Sequence, residues 1–168
     1  MYETNRLILR KAVFSDWEQM YSNIWCHEET ARYMLWAVTE SEAAAKERME
    51  RTIAFQRSHH AWLVVEKESG KAIGFAGLRE ESGVCEDTGI AVGPRYVGKG
   101  YGTEILNELV RIAKEGLNAH RFIATCRSEN EASRKMILGC GFRFSHAEPR
   151  VDKRNGEKYT LEFYRKEL

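Results

Sequence analysis

Apolar residues follow two rhythms along this chain. In one group they recur every three or four positions, as on a helix with one buried face. Trp17, Met20, Tyr21, Ile24 and Trp25 form such a stripe, opened by Ser15 with Glu18 three residues on as a capping box. Ala45, Met49 and Ile53 form a second, on a helix expected to start at a Thr39/Glu42 capping box and to run to about Arg57. Ile105, Leu109, Ile112 and Ala113 form a third, ended by Gly116. Shorter helices are expected from Glu28 to Met34 and from Asn130 to Leu138.

Elsewhere the apolar residues come in short runs bounded by turn formers, which is the strand rhythm. Leu7 to Leu9 is a first strand. Ala61 to Val65 and Ala72 to Leu78 flank a turn containing Gly70 and should form a hairpin. Val84 to Val92 is a third member, ended by Gly93-Pro94. Arg121 to Cys126 is another strand. Phe142 to Val151 and Lys158 to Tyr164 close the chain around an Asn155-Gly156 turn. The order predicts one α/β domain over residues 1–168, built on a mixed, partly antiparallel sheet.

Composition narrows the class without choosing an activity. The chain has 168 residues, 43% hydrophobic and 30% charged, as in folded domains rather than disordered ones. Its formal net charge is +1, so no basic excess points to nucleic acid. No apolar run approaches the roughly 18 residues of a membrane span. The charged start lacks the apolar centre of a signal peptide, and cytoplasm is the expected compartment. The four cysteines are scattered, with no zinc-ligand spacing, so no metal is expected. The oligomeric state is left open, a homodimer included.

The stretch from Gly89 to Glu104 carries the chemistry. It reads strand, turn, helix. Gly98, Gly100 and Gly102 let backbone N–H groups turn toward one point, and the helix start aims its positive dipole end there. Such a place suits a phosphate or pyrophosphate, with Arg95 and Lys99 adding charge. The spacing fits neither a nucleotide P-loop nor a dinucleotide fingerprint.

At these residues the chain resembles the GNAT superfamily of N-acetyltransferases. Arg95-x-x-Gly98-x-Gly100 matches its [Gln/Arg]-x-x-Gly-x-[Gly/Ala] signature, and Ile90-Ala91-Val92-x-Pro94 matches the lead-in. Asn130-Glu-Ala-Ser133-Arg134, followed by Gly141-Phe142, resembles the second cofactor segment. Thr4-x-Arg6-Leu-x-Leu-Arg10 and Arg32-Tyr-Met-x-Trp36 resemble the subgroup containing ribosomal-protein alanine and serine N-acetyltransferases.

The resemblance implies a mostly antiparallel central sheet with two splayed parallel strands and flanking helices. It implies acetyl-CoA as donor and a primary amine as acceptor, either a protein N-terminus or a small molecule, attacking directly in a ternary complex. Ile90, Ala91 and Val92 would pair with the pantetheine arm. Val97 to Thr103, with Gly98, Lys99, Gly100 and Gly102 among them, would cradle the pyrophosphate beside Arg95. Asn130 would touch the pantetheine arm and Ser133 the phosphate or thiol end; a plain helix cap also explains Asn130.

Asp87, seven residues before Pro94, stands where relatives often carry a glutamate base. A solvated strand-end carboxylate is the other reading. Relatives often place a proton-donating tyrosine seven residues after the asparagine, but Ile137 stands there. Ser133, Tyr164, water or no acid at all remain open. Trp25, Tyr33 and Trp36, with His27 and Glu28 nearby, are the acceptor-site candidates; a core role is open for the aromatics. A non-catalytic acyl-CoA-binding module is the alternative function.

Overall fold

The computed structural model describes residues 1–168. In chain order, β1 (Tyr2–Glu3) and β2 (Leu7–Arg10) lead through a single 3-10 turn to α1 (Trp17–Met20), which continues as a π-turn over Tyr21–Trp25. The one-turn α2 (Glu28–Ala31) and the long α3 (Glu42–Ser58) follow. Then come β3 (His60–Glu66), β4 (Ala72–Glu81), β5 (Val84–Val92), α4 (Tyr101–Arg111), β6 (Arg121–Arg127), α5 (Glu131–Gly139), β7 (Arg143–Val151) and β8 (Lys158–Glu167).

Two expected helix caps are corrected. Ser41, not Thr39, caps α3, its hydroxyl accepting from the Ala44 N–H at 3.2 Å. Thr39 lies two residues before that cap, and its Oγ1 accepts from Arg48 Nη1 at 2.9 Å instead. Before α1, Asp16 takes the role expected of Ser15 and Glu18. Its Oδ2 accepts from the Val13 N–H at 2.9 Å while the Arg10 fork holds both carboxylate oxygens.

The eight strands form one sheet in the order β1-β2-β3-β4-β5-β6-β8-β7. Every neighbouring pair is antiparallel except β5 and β6. The exposed edge strand β7 carries Pro149, which an edge tolerates because one side of its backbone has no ladder to complete. Helices cover both faces. On one, Tyr101, Ile105, Leu106 and Leu109 of α4 and Ile137 of α5 bury against Leu7, Val64, Phe122 and Ala124. On the other, Met20, Ile24, Trp25, Ala45 and Met49 bury against Leu63 and Ala72.

The β7–β8 tip exposes Lys153, Arg154, Glu157 and Lys158, but it is anchored from beneath by a buried carboxylate. Asp152 is 2% exposed and ion-paired to both Arg127 and Arg154 at 2.7 Å. Arg154 also donates to the carbonyls of Ala31 and Trp36, tying the hairpin to the α2 region. Sequence spacing alone does not reveal these partners, which lie over a hundred positions away.

Candidate active site

The parallel pair β5–β6 is joined over only three residue pairs: Val84 with Arg121, Cys85 with Phe122, and Glu86 with Ile123. Beyond them the strands part. The Asp87 side chain reaches across the start of the gap, its Oδ1 accepting from the Thr125 N–H at 2.8 Å. One residue later β5 carries a bulge. Leu78 of β4 faces Asp87 and Gly77 faces Gly89, leaving Thr88 unpaired. Gly89 has φ +127°, a conformation that L side chains rarely adopt.

The bulge inverts the strand's faces. Cys85 buries in the α4 side of the sheet before it, and Ile90 and Val92 pack on that side after it. It also sets which backbone groups look into the gap. The Gly93 N–H bonds the Ile73 carbonyl of β4 at 2.8 Å. By antiparallel alternation Ala91 also turns to β4, so Ile90 and Val92 present their N–H and C=O groups to the unpaired side.

Past the end of β5, Pro94–Tyr96 makes one 3-10 turn, and the chain reaches α4 through Val97, Gly98, Lys99 and Gly100. Gly98 and Gly100 have φ of +81° and +80°. A Cβ built on Gly98 would meet nothing within 4 Å, so the segment borders open space. The N–H groups of residues 98 to 103 make no hydrogen bond within the chain. The loop is held from behind. Arg6 donates through Nη1 to the Lys99 carbonyl at 2.9 Å and through Nε to Glu104 at 2.7 Å. Thr4 also bonds Glu104, and the Arg6 guanidinium lies 4.5 Å from the Tyr101 ring centre. The opening Thr4/Arg6 motif therefore acts on the distant glycine loop. Arg95, Val97 and Lys99 are exposed around it, as is Thr103 on the first turn of α4.

Asn130 caps α5, its Oδ1 accepting from the Ser133 N–H at 3.1 Å. The Ser133 side chain is half-buried beside Cys126 of β6, whose thiol is pushed up to about 11 chiefly by burial. Tyr164 is 2% exposed and donates to Glu162 Oε2 at 2.7 Å. Burial, then that carboxylate, pushes its hydroxyl up to about 12, above an ordinary thiol near 8.5. Asp87 is also lifted, to about 7, mainly because burial disfavours its charge, against the opposing Thr125 hydrogen bond. Its neighbour Glu86 is ion-paired to Arg79 at 2.6 Å.

The three aromatic acceptor candidates separate. Trp25 is 2% exposed and belongs to the core, but one edge of it, with Trp36, lines a cavity of about 360 Å³. That cavity lies between α3 and strands β3 to β5, and Thr88 and Gly89 of the bulge form part of its wall. Tyr33 lines a different groove, with Glu28, Arg32, Arg154 and Asn155. His27 bonds the Ser22 carbonyl at 2.8 Å and lines neither. Arg48, which the sequence pattern did not single out, sits against both tryptophans. A basic residue one position before the buried Met49 was the only available hint.

Comparison with known proteins places this arrangement. Residues 6–143 match the model of the acetyltransferase (GNAT) domain. An uncharacterized N-acetyltransferase of Bacillus subtilis (strain 168), YoaA, is 25% identical over 166 residues, covering 96% of this chain and 93% of its own. A ribosomal-protein alanine acetyltransferase from Vibrio fischeri superimposes with a TM-score of 0.73 at 20% identity, covering 99% of this chain and 95% of that one. Spermidine N-acetyltransferase from Vibrio cholerae, solved with CoA and spermine, gives 0.78 at 18% identity, covering 98% and 96%. With a family match across most of its length and the splayed sheet and glycine loop in place, this chain belongs to the GNAT acetyltransferase family.

Proposed function

We propose that the protein transfers an acetyl group from acetyl-CoA to a primary amine by direct attack within a ternary complex. The observation that carries the reading is the run of six unpartnered peptide N–H groups from Gly98 to Thr103 at the start of α4. Most of these residues are exposed, so the donors are open to a ligand, and a diphosphate supplies acceptors of the right charge. The open space at Gly98 leaves room for it, and Arg95 and Lys99 add positive charge. The unpaired backbone groups of Ile90 and Val92 suit an extended amide-bearing arm, received as an added strand.

When bound, acetyl-CoA supplies the thioester. The new N–C bond forms as the C–S bond breaks, the amine's proton leaves, and coenzyme A departs as thiolate. Asp87 is the base that receives the proton, through water, by the oxygen not committed to Thr125. A carboxyl titrating near 7 is matched to that task at neutral pH. A backbone N–H on the gap side of β5 holds the acetyl oxygen as its charge grows. Asn130 orients α5 as its cap, and Ser133 borders the gap from that helix. Tyr164, raised above a thiol and committed to Glu162, is not the proton donor; the thiolate leaves without it.

Thiol release from acetyl-CoA, followed with a panel of amines, amino acids and N-terminal peptides, tests the reading. Amine-dependent release that falls at least tenfold in Asp87→Ala is expected. Acetyl-CoA binding with no turnover on any acceptor points instead to an acyl-CoA-binding module, which the Ile137 position favours.

A further inference from the structure

The cavity beside the bulge has an unusual electrostatic composition. Its wall includes Arg48 and Arg51 and no aspartate or glutamate. Arg51 has an exposed partner, Glu47, at 3.6 Å. Arg48 has no carboxylate partner anywhere in the chain. Its guanidinium lies between two indoles, 4.6 Å from the Trp25 ring centre and 4.2 Å from that of Trp36. Of its five N–H donors one is satisfied, by Thr39. Burial, with Arg51 nearby, lowers it to about 10, which marks an uncompensated charge. Trp36, on the same wall, has a buried Nε1–H with no acceptor. Two donor side chains in one small cavity therefore lack what an anionic oxygen pair would provide.

Aromatic side chains connect this charge to the bulge. Trp36 lies next to Phe75, with ring centres 6.2 Å apart. Phe75 in turn borders Gly89, its Cε2 3.8 Å from where a Cβ would stand. A chain of contacts, Arg48 to Trp36 to Phe75 to Gly89, thus links the charge to the bulge along an apolar wall of the cavity. Its volume falls in the range that holds small molecules, about 300–1,000 Å³.

Resting on the acetyltransferase reading, we infer that the acceptor is a small amino-carboxylate, with amine and carboxylate at opposite ends of an apolar spacer. The carboxylate meets the Arg48 fork and the amine lies at the Thr88–Gly89 bulge. A planar guanidinium held by indole faces is pre-organised for a carboxylate. A polyamine would instead place a second cation against Arg48 and Arg51.

A matched pair tests this: 6-aminohexanoate against 6-aminohexanamide, with spermidine as a third acceptor. Each is measured for binding by calorimetry in the presence of coenzyme A and for acetyl transfer. The acid should bind about ten- to a hundredfold more tightly than the amide. Arg48→Met should erase that preference while leaving coenzyme A affinity unchanged, and Arg48→Lys should retain part of it. If Arg48→Met does not fold, the wild-type pair still decides. Equal binding of acid and amide, binding of neither, or preference for spermidine would overturn the inference. Selective binding of the acid without transfer would uphold the site while removing the enzymatic reading.

Discussion

Asp87 shows how one residue's position couples stability and activity with opposite signs. Its folded value, about 7, lies above the ordinary 3.8, so the fold favours the protonated form. The stability it contributes is present in acid and is lost as pH rises through about 7. The base reading requires the ionised form, so kcat/KM should climb over the same interval. Asp87→Asn should lower kcat about 10²- to 10⁴-fold, remove the rising limb, and flatten the dependence of Tm between about pH 4 and about pH 7. A pH profile of rate and a thermal melt series check both halves. A rate limb unchanged in Asp87→Asn would assign it to another group. The carboxylate itself was visible in the sequence at its distance from Pro94. Its hydrogen bond to Thr125 was not, because that partner lies on a strand 38 positions away.

At the scale of elements, the glycine loop and the terminal hairpin differ in how they are held. Gly98 faces open space, so Gly98→Ala should fold, with about 1–2 kcal/mol of strain at its positive φ. The added methyl would stand where a phosphate is expected, weakening acetyl-CoA at least tenfold. An unchanged dissociation constant would remove the diphosphate from this loop. The hairpin depends on a buried charge network. Arg154 first, then Arg127, holds the Asp152 carboxyl well below the usual range. Its stabilising contribution is therefore present above the ordinary carboxylate value and is lost only in strong acid. Asp152→Ala should lower Tm by several degrees at pH 7, and hydrogen exchange should report loosening of both the β7–β8 tip and the Ala31–Trp36 segment it anchors. Exchange confined to the tip would show that Arg154 does not transmit order to the α2 region.

For the whole molecule, the sheet joins two cores, one under α4 and α5 and one under α1 and α3, and the β5–β6 gap runs between them. A ligand that fills the gap binds the folded state alone, so it should stabilise both sides together. At a hundredfold excess over its dissociation constant, acetyl-CoA should add about 2.7 kcal/mol. For a chain of this size that raises Tm by about 5–10 °C, readable by differential scanning fluorimetry. No shift at saturating acetyl-CoA would contradict the donor assignment.

The sequence by itself determined the order of helices and strands, the glycine loop at the head of α4, and the family. Those features are written in local spacing: apolar residues at the helix or strand period, and glycines where the backbone must turn. Only the tertiary structure decided the rest. It separated Trp36 from Tyr33, drew Arg48 between two indoles, clamped the loop with Arg6, and replaced Thr39 and Ser15 as caps. Each of these is a competition among polar groups for partners distant in the chain, and its outcome depends on which groups folding brings within hydrogen-bonding reach.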